Sequence, residues 1–358
     1  MPSIDHLPIL VLLAVFLAAS GAIWVAGIQL SNVTDILSER LKLGQALGGA
    51  ILLAIATNLP EIAIVGSASV RHELGVAVGN ILGGIAIQTV VLVVLDAFGA
   101  RRGPPLSYIS ASLALVLEAA LVIAVLIVAV MGTQLPASLM WVRVTPGALL
   151  IVALWIVGVW LLSEASKGLP WHDTSGAAPK GQAKPKGHSR TARAAGKMST
   201  GMAAAIFAGA ALVTLLAGVA LEESGSGLAA HFGLSGVLFG ATVLAAATAL
   251  PELSTGLAAM KLGDYQLAVS DIFGGNAFLP VLFLLASLLS GQAVLPQAEK
   301  TDIYLAALGI LLTTVYLAGL IFRPQRRILG MGVDSLVVLV LYGGGVAGLV
   351  AIAQAGPH

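Results

Sequence analysis

Apolar stretches about as long as a bilayer is thick recur from one end of this chain to the other, and that recurrence limits its fold more than any other feature. A helix rising 1.5 Å per residue needs about 20 residues to cross about 30 Å of hydrocarbon. Runs near that length occupy residues 7–29, 44–70, 75–98, 107–131, 145–163, 201–221, 234–260, 266–290, 303–322 and 331–353. Barrel strands would alternate every second residue, and these runs do not. An all-α polytopic membrane protein with ten transmembrane helices is therefore expected. Composition agrees: 10% of the residues are charged and the mean hydropathy is +1.00, whereas soluble domains carry about 25% charged residues. No Lys or Arg precedes the first run, which is also too long for a cleaved leader, so it is expected to stay as the first span. The absence of cysteine rules out disulfides, zinc-thiolate sites and thiol catalysis.

The basic residues orient these spans. With the N-terminus outside, the inner loops hold Arg40, Lys42, Arg101, Arg102, Lys261, Arg323, Arg326, Arg327 and the seven basic residues from Lys167 to Lys197, against Arg71, Arg143 and Lys300 outside. That asymmetry follows the positive-inside rule and puts both termini outside a cell membrane. Residues 165–200, rich in Gly, Ala, Pro, Lys and Ser, cannot bury enough surface to fold. They are expected to form a disordered basic cytoplasmic linker, with His172, Asp173 and His188 solvated, between five-helix halves at 1–164 and 201–358. A net charge of +1 says nothing useful about partners; the bilayer and inorganic cations are the partners expected, with no nucleic acid and no protein partner implied.

The halves share a repeat. Shifting the chain by 191 residues aligns 47–88 with 238–279, about 17 of 42 positions being identical without a gap. Five helices per half is an odd number, so the second copy enters the membrane from the opposite side, and sites in such inverted pairs lie at the repeat interface near the midplane. The matched centre places Thr57, Pro60 and Glu61 against Thr248, Pro251 and Glu252. Each proline removes an amide and loosens the helix around Ala56 and Ala247, freeing carbonyls that a cation can take up. A carboxylate at helix centre costs about 2.5–3.5 kcal/mol to insert. Two at one repeat position supply a charge of −2, which suits one divalent or two monovalent cations. Ca²⁺ seeks six to eight oxygens, toward which Glu61, Glu252, Thr57 and Thr248 would contribute.

The segments "ATNLPE" and "VGNILGG", then "ATALPE" and "VSDIFGGNAF", resemble the paired alpha-repeats of the sodium/calcium exchangers. The resemblance implies that Glu61 and Glu252 are the central cation ligands. It also implies that Thr57 and Thr248, with the carbonyls of Ala54 and Ala245, line the site. Family members usually carry serine where this chain has Asn58, Ala249, Gly84 and Gly275, and Asn or Asp where it has Gln88 and Leu279. Leu279 thus lacks a ligand. Asn80, Gly84 and Gln88 share one helix face, as do Asp271, Gly275 and Leu279. This makes Asn80, Gln88 and Asp271 further candidates beside Asn58, with Asn276 nearby.

Glu118, in mid-span, is open to two readings, a proton site or a partner for a polar group on another helix. Asp96 and Asp334 are expected to be solvated at the interface, and His72 and His231 to be surface residues. No H-E-x-x-H motif or paired Ser and His lies within a span, so an enzyme is not expected. The expected function is secondary cation antiport by alternating access, Ca²⁺ against Na⁺ or H⁺, with no cofactor. A carboxylate held away from water can exchange a proton for a cation, which favours H⁺ where the ligand set is depleted. A channel or transport-inactive exchanger homologue is the alternative, separable by whether flux needs a counter-ion.

Overall fold

The computed structural model describes residues 7–40, 52–100, 103–167, 198–234, 236–261 and 263–355. The linker expected at 165–200 falls mostly outside them, as do Lys42, Arg101, Arg102 and residues 44–51 of the run at 44–70. The described chain is almost wholly helical. Its helices are α1 (Ile9–Arg40), α2 (Leu52–Thr57), α3 (Leu59–Val70), α4 (Leu74–Val94), α5 (Leu106–Ser110), α6 (Leu113–Thr133) and α7 (Pro146–Lys167) in the first half. The second half has α8 (Thr200–Phe232), α9 (Gly236–Phe239), α10 (Ala245–Thr248), α11 (Leu250–Lys261), α12 (Tyr265–Phe278), α13 (Leu282–Ser290), α14 (Lys300–Phe322) and α15 (Val333–Ala355). A two-residue antiparallel ladder, β1 (Arg327–Ile328) with β2 (Met331–Gly332), joins α14 to α15.

Among the described residues eight helical stretches are long and apolar enough to cross a membrane, or nine if the pair Gly240–Thr248 and Leu250–Lys261, bent by 43°, is one span. The remaining run, 44–70, is represented by α2 and α3, with residues 44–51 outside the described residues. Sequence boundaries shift most where a helix outlasts its apolar run: α1 and α8 extend to 32 and 33 residues. The run at 107–131 is divided, because Ala111 and Ser112 leave the helix and the Ser112 hydroxyl caps α6 by accepting from Leu115 N at 3.2 Å.

Burial separates an inner from an outer layer. Within the apolar windows 72% of Leu74–Gly99 and 67% of Tyr265–Ser290 is buried, against 17–28% for α1, α7, α8 and α15. The outer helices face outward with Leu10, Val25, Trp160, Leu216 and Val340 exposed, a surface suited to lipid rather than water. The repeat copies interlock reciprocally: α4 packs on α9, α10 and the π-helical turn Gly240–Leu244, while α12 packs on α2. Gly83 makes the first contact possible, since a Cβ there would overlap the backbone of Ala241.

Candidate cation-binding site

Both Leu-Pro-Glu segments break their helices. α2 stops at Thr57 and α3 starts at Leu59, while α10 stops at Thr248 and α11 starts at Leu250. Pro60 and Pro251 have no N–H to return to the preceding turn, and each can open a new helix in its first turn. Glu61 and Glu252 therefore sit in the first turns of α3 and α11, where the positive end of the peptide dipoles faces a carboxylate. Both side chains are fully buried, as are Thr57, Thr248, Asn58, Asn80 and Gln88, with Asp271 1% exposed.

The two copies reach across each other. Thr248 and Gln88 lie beside the Glu61 carboxylate, while Thr57 and Asp271 lie beside that of Glu252, which also faces Glu61. Gln88 Nε2 donates to Glu252 Oε1 at 3.3 Å and to Asn58 Oδ1 at 3.2 Å. Asp271 sits within this network rather than at a helix end: its Oδ1 accepts from Thr57 Oγ1 at 3.4 Å and its Oδ2 from Thr255 Oγ1 at 2.7 Å. Glu118 accepts from the neighbouring Ser270 at 2.8 Å, so of its two readings the structure shows a polar partner on another helix.

The Ala54 and Ala245 carbonyls, which the resemblance places in the lining of the site, already accept hydrogen bonds within their own segments. Ala54 O accepts from Asn58 N at 3.2 Å, Asn58 Nδ2 at 2.6 Å and Thr57 Oγ1 at 3.2 Å. Ala245 O accepts from Ala249 N at 3.0 Å and Thr248 Oγ1 at 3.1 Å. The sequence expectation overlooked that an Asx or Thr side chain one turn on can cap such a group. What lacks donors is the carboxylate and amide set: Glu61 Oε1 and Oε2, Glu252 Oε2, Gln88 Oε1, Asn276 Oδ1 and both polar atoms of Asn80 are buried with no hydrogen-bond partner among the described residues. No three carboxylate or histidine side chains among those residues converge closely enough to hold a metal unaided.

Two departures from the exchanger pattern prove to be coupled pairs. A Cβ at Gly275 would stand 2.6 Å from Asn58 Nδ2 and 3.3 Å from Gln88 Oε1, so the larger Asn58 occupies room that a bare Gly275 leaves. Similarly, a Cβ at Gly84 would stand 3.2 Å from Leu279 Cδ1; the buried leucine fills the space beside that glycine. Thr255, Thr89 and Ser270 were missed from sequence. Thr255 was findable, since it lies one turn after Glu252 on the same face, whereas Thr89 meets Asn276 Nδ2 at 3.3 Å only through packing between α4 and α12.

Asp96 and Asp334 correct the sequence reading of solvated interface residues. They are 0% and 6% exposed, because the segment after α4 and the β1–β2 turn fold back over them. His72 and His231 are exposed, as expected.

The chain matches the model of the sodium/calcium exchanger protein family over residues 11–163 and 202–351. It is 34% identical over 113 residues to the inner membrane protein YrbG of Escherichia coli K12, covering 31% of this chain and 33% of that one. It is 35% identical over 136 residues to CaxA of Alkalimonas amylolytica, covering 34% and 41%. These alignments thus span well under half of either relative. Its fold is similar to that of the sodium-calcium exchanger NCX_Mj (TM-score 0.61, 18% identity, 95% of this chain and 99% of that one). It is also similar to that of the H⁺/Ca²⁺ exchanger CAX (TM-score 0.65, 14% identity, 98% and 88%). A broken-helix pair repeated in both halves, each carrying a buried glutamate, and a family match over most of both halves lead to one conclusion: this chain is a membrane protein of the sodium/calcium exchanger family.

Proposed function

We propose that this protein is a secondary active antiporter that exchanges Ca²⁺ for protons or Na⁺ at a midplane site between two inverted five-helix repeats. The observation that carries the reading is the convergence of Glu61 and Glu252 in a buried interface, with three carboxylate oxygens left without donors among the described residues. Leaving a carboxylate unpaired in such a place is costly, and a bound cation or a proton removes the cost. Glu61, Glu252, the Gln88 carbonyl, Thr57 and Thr248 would supply oxygens to Ca²⁺, and Asp271 would hold Thr57 and Thr255 in position beside them. Protons or Na⁺ would occupy the same carboxylates on the return, so that the site faces each side in turn with its charge compensated.

Proton coupling is favoured over Na⁺ by Leu279. An apolar side chain packed on Gly84 offers no oxygen to a second or third Na⁺, whereas a proton needs only a carboxylate. The multi-pass fold with its basic inner loops supports a cell-membrane location with both termini outside. The test is Ca²⁺ flux in proteoliposomes under imposed pH or Na⁺ gradients. Uptake driven by a pH gradient without Na⁺ supports proton exchange; uptake needing Na⁺ supports the sodium mode; counter-ion-independent flux refutes antiport.

A further inference from the structure

The Ser270 hydrogen bond accounts for one oxygen of Glu118 and leaves the other. Glu118 is 9% exposed on α6; its Oε1 accepts from Ser270 Oγ at 2.8 Å, and its Oε2 is buried with no hydrogen-bond partner among the described residues. The side chain lines a cavity of about 20 Å³ between α2, α6, α7 and α12. Ile55, Leu121, Trp155, Phe273 and Phe278 help to wall it, with the Trp155 and Phe278 rings 5.6 Å apart. Apart from Glu118 and the Trp155 indole, the described side chains that line it are apolar.

Leaving a carboxylate oxygen without a donor against such walls is costly, and either a metal cation or a proton would remove the cost. The walls decide between them. Ca²⁺ seeks about six to eight oxygens, whereas the described side chains here offer the Glu118 carboxyl and the Ser270 hydroxyl. A space of this size holds about one water molecule, too little to complete such a shell. A proton needs a single oxygen, and one water is enough to deliver it.

None of the other described titratable groups on the elements packed against α6 bonds to Glu118. On α12, Asp271 accepts from Thr57 and Thr255. On α7, Glu164 is exposed and Lys167 ends the helix. On α14, Tyr316 is bonded to Ser335 and Tyr304 faces Gly348, while Lys300 opens the helix beside Asp302, which shares a cavity with Thr133 at the far end of α6.

We propose that Glu118 binds and releases a proton through this cavity, separately from any proton carried by Glu61 and Glu252, and that its charge tunes the cation site. Ser270 is followed at once by Asp271, which holds Thr57 and Thr255. An ionised Glu118 therefore adds negative charge beside that network and favours a bound cation, and a protonated Glu118 withdraws it. By linkage, a cation in the central site and a proton on Glu118 oppose one another. The tuning rests on the exchange proposed above; the proton site does not.

Two measurements separate these claims. In the full chain carrying Glu61→Gln and Glu252→Gln, reconstituted in lipid, infrared spectra are recorded against pH. We expect a protonated-carboxyl carbonyl band that appears as the pH falls, is missing from Glu118→Gln, and changes frequency in Ser270→Ala, where the hydroxyl donor is gone. Ser270→Ala serves alone if Glu118→Gln does not fold. The proton site is overturned by the lack of such a band, by a band that does not respond to pH, by one that Ser270→Ala leaves unmoved, or by one that NaCl or CaCl₂ suppresses, which would assign Glu118 a metal. In the chain with both central glutamates intact, half-saturating Ca²⁺ for flux is measured against pH. Glu118→Gln, neutral throughout, should raise it by about threefold or more at high pH and less at low pH. An unchanged pH profile overturns the tuning. Absence of Ca²⁺ flux from the unsubstituted chain refutes the exchange and the tuning with it, while the infrared band still decides the proton site.

Discussion

Replacing Gly275 by serine restores a residue usual in exchangers, yet in this chain it should damage the site. Its Cβ would come within 2.6 Å of Asn58 Nδ2. Asn58 cannot easily retreat, because Nδ2 is held by Ala54 O at 2.6 Å and Oδ1 by Gln88 at 3.2 Å. Overpacking of this kind costs about 1–3 kcal/mol. Displacing Asn58 also releases Gln88, forfeiting about 1 kcal/mol per lost hydrogen bond. A total near 2–4 kcal/mol falls on the residue that orients Glu252. If about 1.4 kcal/mol of it reaches the bound state, half-saturating Ca²⁺ for flux rises tenfold. Adding Asn58→Ser should relieve the clash, so the double variant should recover most of the loss, a coupling of about 1 kcal/mol or more between side chains in contact. The assays are Ca²⁺-dependent flux in proteoliposomes and thermal unfolding in detergent. Unchanged flux in Gly275→Ser, or losses that merely add in the double variant, would refute the reasoning.

Glu61→Gln and Glu252→Gln should each abolish exchange while expressing normally, since removing an intramembrane charge favours insertion; normal flux in either at limiting Ca²⁺ would remove the central claim. Asp271→Asn should weaken Ca²⁺ transport at least tenfold by releasing Thr57 and Thr255, and Leu279→Asp should restore part of it and raise the Na⁺ dependence. A cysteine at Gly181 should be labelled only from the cytoplasm and one at Gln297 only from outside; the opposite pattern refutes the inverted arrangement. The natural lack of cysteine keeps that experiment free of background.

The parts of this protein that were legible from sequence are those governed by a period or an offset. Span positions follow from apolar length, and the Thr57–Glu61 and Thr248–Glu252 pairs from one repeat distance, because both depend on neighbours along the chain. Asp96 and Asp334 were misread for the opposite reason. Asp96 ends one apolar run and Asp334 opens another, which by local rules means contact with water, and only the return of residues 103–106 and 327–332 over them removes it. The fate of the Ala54 carbonyl was equally invisible, since Asn58 could as well have turned outward. The room left by Gly275 and the hold of Gln88 decide its direction.

Those same contacts make the two glutamates unequal despite their matching positions. Gln88 ties one oxygen of Glu252 and stands between it and Asn58, whereas its repeat mate Leu279 ties nothing. Glu252 is thereby anchored at one oxygen, whereas neither oxygen of Glu61, with Thr248 and Gln88 beside it, closes a hydrogen bond among the described residues. A cation bound between them as proposed would meet one fixed and one adjustable carboxylate, so the adjustment that closes the coordination shell would fall on Glu61 and on the α2–α3 break that carries it. On the proposed function, the sequence symmetry that supplies two charges would be broken where it matters for motion: the first copy would move to the ion and the second would hold it.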